Sequence, residues 1–306
     1  VTDKLNDVGG QASKSNSAIV HTGFDAPPGS LESDLVVHAN PMFDQLCEEL
    51  DIPLKRTGAI LTALTEIEEQ ELPAILAKAA ANHVYDVELL NADDIRRLEP
   101  RVSPEVLGGI YVPRESITDP FMLVVAQAEN AARNGVEFII SNEISGISST
   151  DDGFVAESSN GEITVQYVIN AAGLYSDSVS GFLGIEDFTM HPRRGQFHIL
   201  DRAANLGIEH IILPVPTKVT KGKLLAPSVH GNWLIGPTAE ELIDKTADET
   251  TAQGLEEVIA GVSKLVPSVS PDMAITQYAG LRPVRDPGGY HLRDFEALPG
   301  YIELSG

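Results

Sequence analysis

The chain has 306 residues, 42% hydrophobic and 22% charged, a globular composition with room for a sizeable core and two domains. Its formal charge of −24 excludes nucleic acid and bare anionic lipid as partners, although a few Lys and Arg converging on one pocket still suit an anionic substrate. No apolar run reaches the roughly 18 residues of a membrane span; Cys47 is the only cysteine, which rules out an intrachain disulfide, and the histidines lack ligand spacing, which predicts no metal.

The start, Val1 to Asn6, lacks the basic and apolar regions of a signal peptide, so a cytoplasmic location is expected. Gln11 to Gly29 (QASKSNSAIVHTGFDAPPG) then crowds small polar residues, a histidine and paired prolines together. Ser13, Ser15, Asn16 and Ser17 offer hydroxyl, amide and backbone N–H groups with little bulk, which suits close approach to a flat or phosphorylated ligand. The Pro27-Pro28-Gly29 turn would hold His21 on a fixed loop. The plainer reading is a polar loop followed by a satisfied histidine.

Leu31, Leu35, Met42, Leu46 and Leu50 keep helical spacing interrupted at Pro41, which predicts two helices or one kinked helix. An extended run follows over Pro53 to Ala63. Thr65 and Glu68 form a capping box for a helix carrying Ile67, Leu72, Ile75 and Leu76, bent at Pro73. A short helix starts at Asn91, and 64–100 reads as a helical cap. Asp119-Pro120 starts another helix, with Met122, Leu123 and Ala126 as its apolar face and Gly135 as its end.

Val136 to Ser141 reads as a short strand, and Gly153 to Ser158 with Glu162 to Ile169 as a hairpin around Asn160-Gly161. The second hairpin strand runs into Asn170-Ala-Ala-Gly173 and a helix over Ser176 to Leu183. Beyond Gly184 come strands at Gln196 to Leu200, His210 to Leu213, Leu224 to Ala226 and Trp233 to Gly236. An amphipathic helix over Thr250 to Leu265 and a strand from Ile275 to Leu281, ending at Arg282, complete the pattern.

Four segments, the loop Gln11 to Gly29, Val168 to Asp177, Pro216 to Lys223 with its sequel Ala226 to Glu240, and Tyr278-Ala-Gly-Leu-Arg-Pro283, resemble the flavin-dependent glycerol-3-phosphate dehydrogenases and oxidases. They come in that family's order, within the wider class of FAD-dependent amine and hydroxy-acid oxidoreductases. The resemblance implies an α/β (α+β) fold. An incomplete Rossmann-like FAD-binding domain would comprise 1–54, 119–182 and 292–306. A substrate and cap domain, with a mixed, mostly antiparallel sheet and a helical cap, would comprise 55–118 and 183–291. GxGxxG, which opens a dinucleotide fold, occurs nowhere. The expectation is therefore a fragment lacking that N-terminal unit and the C-terminal flavin loop and helix. FAD would belong to the full-length parent and be absent from the fragment alone.

The same resemblance implies FAD contacts at Ser13, Ser15, Asn16, Ile144, Ala171, Ala172 and Gly173. It makes His21 the base that takes the hydroxyl proton while hydride passes to flavin N5. A histidine of ordinary pKa, about 6.5, is neutral at cytoplasmic pH and ready for that role. Arg282, Lys221 and Ser17 would hold the substrate, with Lys218 and Lys223 in the same basic turn as Lys221. A surface salt bridge for Arg282 and a solvated turn for the lysines are the plainer readings.

Ala18 stands where relatives often have Gly, and Gln196 where an acid often follows the glycine. The implied reaction is oxidation of sn-glycerol 3-phosphate, a small phosphate, to dihydroxyacetone phosphate. The acceptor would be a quinone, an electron-transfer subunit or oxygen, and such a partner could attach the protein to the inner membrane. The alternatives are a hydroxy-acid oxidase or dehydrogenase of the L-2-hydroxyglutarate type and a non-catalytic domain.

Overall fold

A computed structural model describes residues 1–216 and 222–306. It begins with β1 (Ile19–Val20), α1 (Leu31–Glu49), β2 (Leu54–Lys55), β3 (Ala59–Ala63), α2 (Glu66–Ala81), β4 (Glu88–Asn91) and α3 (Ala92–Leu98). There follow β5 (Gly108–Val112), β6 (Ser116–Thr118), α4 (Pro120–Arg133), β7 (Ile144–Thr150), β8 (Gly153–Ser158), β9 (Gly161–Val165), β10 (Val168–Asn170) and α5 (Ser176–Gly181). The remainder is β11 (Thr189–Leu200), β12 (Ile211–Pro214), β13 (Leu224–Pro227), β14 (Trp233–Gly236), β15 (Glu240–Glu241), α6 (Ala252–Leu265), β16 (Ala274–Asp286), β17 (His291–Asp294) and β18 (Tyr301–Ser305).

Local chemistry sets the helix starts. The Ser30 hydroxyl accepts the Ser33 N–H at the head of α1, which continues through Pro41 as one helix. At α2 the Thr65–Glu68 capping box closes in both directions, and Pro73 lies inside the helix. Asp119 accepts the Phe121 and Met122 N–H groups ahead of α4, with Pro120 in its first turn. Of the apolar face expected on α4, Leu123 and Ala126 are half-buried and Met122 is exposed, and among the described residues the helix buries no side chain fully.

Among the described residues the largest sheet has nine strands in the order β15-β11-β14-β13-β12-β3-β5-β4, with β16 on the other edge of β11. Its pairings are antiparallel except β12 with β3. Alternation along β3 puts Ile60 into one core and Leu61 into the other. Val258, Val262 and Leu265 of α6 close the first core with Ile212, Leu225 and Ile235. Leu72 and Ile75 of α2 close the second with Ile110 and Ile211. The expected mixed, mostly antiparallel sheet is therefore present, with α2 and α3 packed against the β3, β4 and β5 end.

Three smaller sheets, β1-β6-β2, β7-β8-β9 and β10-β18-β17, carry the rest of the strands. Two expectations need correction here. Val136 to Ser141 is not a strand, because its ladder partner is the N-terminal segment and the pairing amounts to one parallel bridge, Thr2 with Ile139. Glu162 to Ile169 is not one strand either. It breaks at Gln166 and Tyr167, so that β9 stays in the hairpin while β10 pairs in parallel with β18. Buried Asn170 anchors that switch, donating to the Ser176 carbonyl (2.8 Å), Ser180 Oγ (3.1 Å) and Tyr301 Oη (2.9 Å). The helix expected to reach Leu183 is a 3-10 turn over Gly173–Tyr175 and then α5, which ends at Gly181.

Candidate active site

The polar loop before β1 lies on β16. A methyl group on Gly280 would sit 2.1 Å from the Ser15 backbone oxygen, so glycine is what lets the two backbones meet. Two residues earlier on the same strand face, Tyr278 donates its hydroxyl to the Asn16 carbonyl at 2.6 Å. Burial pushes the Tyr278 phenol up, so it keeps the proton that this bond needs. Its ring stacks on Phe197 of β11, with centroids 5.1 Å apart.

Asn16 shapes the loop from within, donating to the Ala12 (3.1 Å) and Ser13 (2.9 Å) carbonyls and accepting the Ala18 N–H (2.9 Å). Ala18 has a φ of 60°, a conformation that costs glycine nothing, which accounts physically for the glycine expected there. Ser13 is exposed on this loop, and Ser15, Asn16 and Ser17 are half-buried.

His21 follows β1, and its side chain is 51% exposed while that of its partner Glu115 is fully buried. Glu115 Oε2 lies 2.9 Å from His21 Nδ1. Its other oxygen accepts the Thr22 N–H (2.7 Å) and hydroxyl (3.0 Å). Asn40 pins both backbones by donating to the carbonyls of Val20 (3.3 Å), His21 (3.1 Å) and Arg114 (3.2 Å). Arg56 braces the same place through the Arg114 carbonyl (3.1 Å) and Asp44 (2.7 Å), and its hydrogen bond holds the Asp44 carboxyl below the usual range. Glu115 has no signal in the sequence, since nothing local marks a partner 94 positions from His21.

Arg282 falls on the face of β16 shared with Gly280 and Tyr278 and is exposed. Among the described residues it has no hydrogen-bond or ion-pair partner, so the surface salt bridge weighed for it is absent there. Its ladder neighbour Arg193 is instead paired with Glu241. One position on, Pro283 lies 3.8 Å from where a side chain on Gly173 would begin. β16 thus meets Ser15 and Asn16 on the face that carries Arg282, and approaches Gly173 of the Ala171-Ala172-Gly173 turn through Pro283 on its other face.

Ile144 lies elsewhere, opening β7 beside Ser158 with its side chain packed on the core of Ile147, Phe154 and Tyr301. Lys218 and Lys221 lie outside the described residues. Lys223 is paired with Glu257. At Gly222 a positive φ of 81° and a methyl position 2.2 Å from Pro214 leave room for glycine alone. Gln196 faces away from the site: its side-chain oxygen accepts the N–H of Thr251, the N-cap of α6, at 2.7 Å. The expected departure at that position therefore concerns helix capping and not substrate.

The turn after β10 fits the approach of an anionic cofactor. Ala171 is exposed, no side chain in the turn exceeds a methyl group, and Gly173 has a φ of 57°. Ser13, Ser15 and Asn16, on the loop held against β16, could hold a second part of such a group. Among the described residues no cluster of His, Cys, Asp and Glu is placed to hold a metal ion, and no helix is long and apolar enough to cross a membrane.

Residues 1–304 match the family model of FAD dependent oxidoreductases (DAO), and the chain belongs to that family. It is 36% identical over 304 residues to the glycerol 3-phosphate dehydrogenase of Caloramator mitchellensis, covering 99% of this chain and 63% of that protein. The chain thus spans less than two thirds of that relative's length. An L-2-hydroxyglutarate dehydrogenase of Escherichia coli is 30% identical over 228 residues, 73% of this chain and 53% of that protein. The solved structure of dithionite-reduced L-alpha-glycerophosphate oxidase from Mycoplasma pneumoniae with FAD bound superposes with a TM-score of 0.92 at 26% identity. It covers 99% of this chain and 81% of that one.

Proposed function

We propose that the protein oxidises sn-glycerol 3-phosphate to dihydroxyacetone phosphate, with His21 as base and Arg282 as the anion-binding cation. The observation that carries the reading is the pairing of His21 with buried Glu115, beside a loop held against the strand that bears Arg282, which has no partner among the described residues. Likeness to a glycerol 3-phosphate dehydrogenase and to a glycerophosphate oxidase supports the substrate. Bound FAD supplies the two-electron acceptor that takes the C2 hydrogen as hydride. His21 takes the hydroxyl proton of the same carbon, which leaves the carbonyl of the product. Arg282 holds the phosphate through charge-assisted hydrogen bonds and so orients C2. Ser17, next to the loop that meets β16, contributes a hydroxyl to the same substrate. Ser13, Ser15, Asn16, Ile144 and the Ala171-Ala172-Gly173 turn are the proposed cofactor contacts, Ile144 through its backbone.

A single arginine also suits a carboxylate, and the likeness to L-2-hydroxyglutarate dehydrogenases makes that acid the competing substrate. The test is anaerobic bleaching of the flavin absorbance in the complete FAD-loaded protein, with the two compounds in parallel. Faster reduction by glycerol 3-phosphate is expected. Faster reduction by L-2-hydroxyglutarate would replace this reading with the other. Adding oxygen, a quinone analogue or candidate partner subunits after reduction then identifies the electron acceptor.

A further inference from the structure

We infer that Glu115 is a positioning residue that acts through His21, fixing its imidazole as the Nδ1–H tautomer and supporting its protonated form. The two carboxylate oxygens divide the work. Oε1 is anchored by the Thr22 N–H at 2.7 Å and the Thr22 hydroxyl at 3.0 Å, whereas Oε2 meets His21 Nδ1 at 2.9 Å. Glu115 and Thr22 are both wholly buried, so the carboxylate cannot swing to follow a moving ring.

An ionised carboxylate only accepts hydrogen bonds, so a neutral ring bonded to it must carry its proton on Nδ1 and its lone pair on Nε2. Once that lone pair has taken a substrate proton, the same contact becomes a charge-assisted hydrogen bond to an imidazolium. Two cations are held at the same corner: Arg114, bonded to Asp86 at 2.6 and 2.8 Å, and Arg56, bonded to Asp44 and to the Arg114 carbonyl. Both cations are thus matched by their own carboxylates, and Glu115 is the carboxylate bonded to the ring at Nδ1.

A purely structural role predicts something different. If Glu115 only satisfied Thr22, glutamine would serve equally well, because its amide oxygen can accept the same two bonds. Its NH₂ group would then face His21 Nδ1 as a donor and force the ring into the opposite tautomer. As a contribution to turnover the inference rests on His21 being the base proposed above. Its spectroscopic arm does not.

The experiment is ¹⁵N NMR of the His21 ring across pH, in the protein as purified and in Glu115→Gln and Glu115→Asp, with flavin reduction followed in the FAD-loaded forms. The expected unmodified ring is Nδ1–H when neutral. Glu115→Gln should switch it to Nε2–H and lower its titration midpoint by about one to three pH units, the usual effect of losing a close opposite charge. The maximal rate of flavin reduction should fall at least about tenfold with flavin content retained, and its pH profile should move with the NMR midpoint. Glu115→Asp, which keeps the charge on a shorter arm, should recover part of both.

An unmodified ring that is already Nε2–H overturns the inference without any variant, so misfolding of a mutant cannot shelter it. An unchanged tautomer and midpoint in folded Glu115→Gln overturns it too. If the tautomer switches as expected but the unmodified protein does not oxidise glycerol 3-phosphate, the function reading falls and the Glu115–His21 relation stands.

Discussion

Gly280 and Ser15 meet backbone to backbone, close enough that a β-carbon on the glycine would stand 2.1 Å from the serine carbonyl oxygen. No neighbouring side chain can yield at this contact, since the obstacle is main chain. Gly280→Ala is therefore expected to lift the 13–17 loop from β16 at about 1 to 3 kcal/mol of stability, the range for overpacking a tight site. Chemical denaturation measures that loss. Weaker retention of FAD should accompany it, because the loop carries the proposed cofactor contacts Ser13, Ser15 and Asn16. An alanine variant with unaltered stability and flavin content would show that the approach of the loop is not required.

His21→Ala should keep the flavin spectrum and lose turnover. A positioned acid–base group contributes roughly 10²- to 10⁴-fold, so substrate-driven flavin reduction should slow by that factor. Stopped-flow absorbance under anaerobic conditions measures it. A near-normal rate would take His21 out of the proton transfer.

The parts of this site that could be read from the sequence are those whose chemistry is local. Ser, Asn and Gly within a few positions mark the 13–18 turn, and Asp119-Pro120 and Thr65 with Glu68 mark helix starts, because capping joins residues three apart. Strand length was much less legible. β11 and β16 run for 12 and 13 residues, yet Pro192, Gly195, Gly280 and Pro283 interrupt their alternation and make each read as a short piece. What sustains them is their mutual pairing along nearly their whole length, which no local window contains. Glu115 was illegible for the same reason, as was the exchange of β10 from the hairpin to β18. In each case the deciding partner lies far along the chain.

Asp177 ties the segment after β15 to the turn behind Gly173. Lys245 Nζ lies 2.9 Å from both of its carboxylate oxygens, and the Met190 N–H reaches one of them at 2.9 Å. Burial works against ionisation of Asp177, but the bonds from Lys245 and from the Met190 and Ser178 N–H groups outweigh it, and the carboxyl is held below its usual value. A depressed carboxyl pKa stabilises the fold fully above the unfolded value, about 3.9, and this contribution disappears as pH falls through the lower folded value. Lys245→Met should thus cost about 1 to 2 kcal/mol at pH 7, with the difference from the unmodified protein shrinking below about pH 4. Urea denaturation at both pH values tests this. A deficit of the same size at both would mean that lost packing, and not the ion pair, accounts for the effect.

Arg282 is the exposed cation on the β16 face where the loop lands, with no partner among the described residues. A structural arginine would have a carboxylate beside it, as Arg193 has in Glu241 on the neighbouring strand. Removing Arg282 should therefore cost little stability and much substrate recognition. Arg282→Gln keeps a polar side chain but loses the charge, so each charge-assisted bond to the phosphate, about 1.5 to 3 kcal/mol, should be lost from kcat/KM, a factor of roughly 10 to 150. Glycerol, which has the same reacting carbon and no phosphate, provides the control: its much poorer turnover should hardly change. Arg282→Lys should recover only part of the loss, since an ammonium is a point charge without the planar fork that grips two oxygens at once. Steady-state kinetics with the two substrates across the three proteins reads the result directly. Equal losses for glycerol and glycerol 3-phosphate would mean that Arg282 shapes the site without binding the anion, and the phosphate would need another cation.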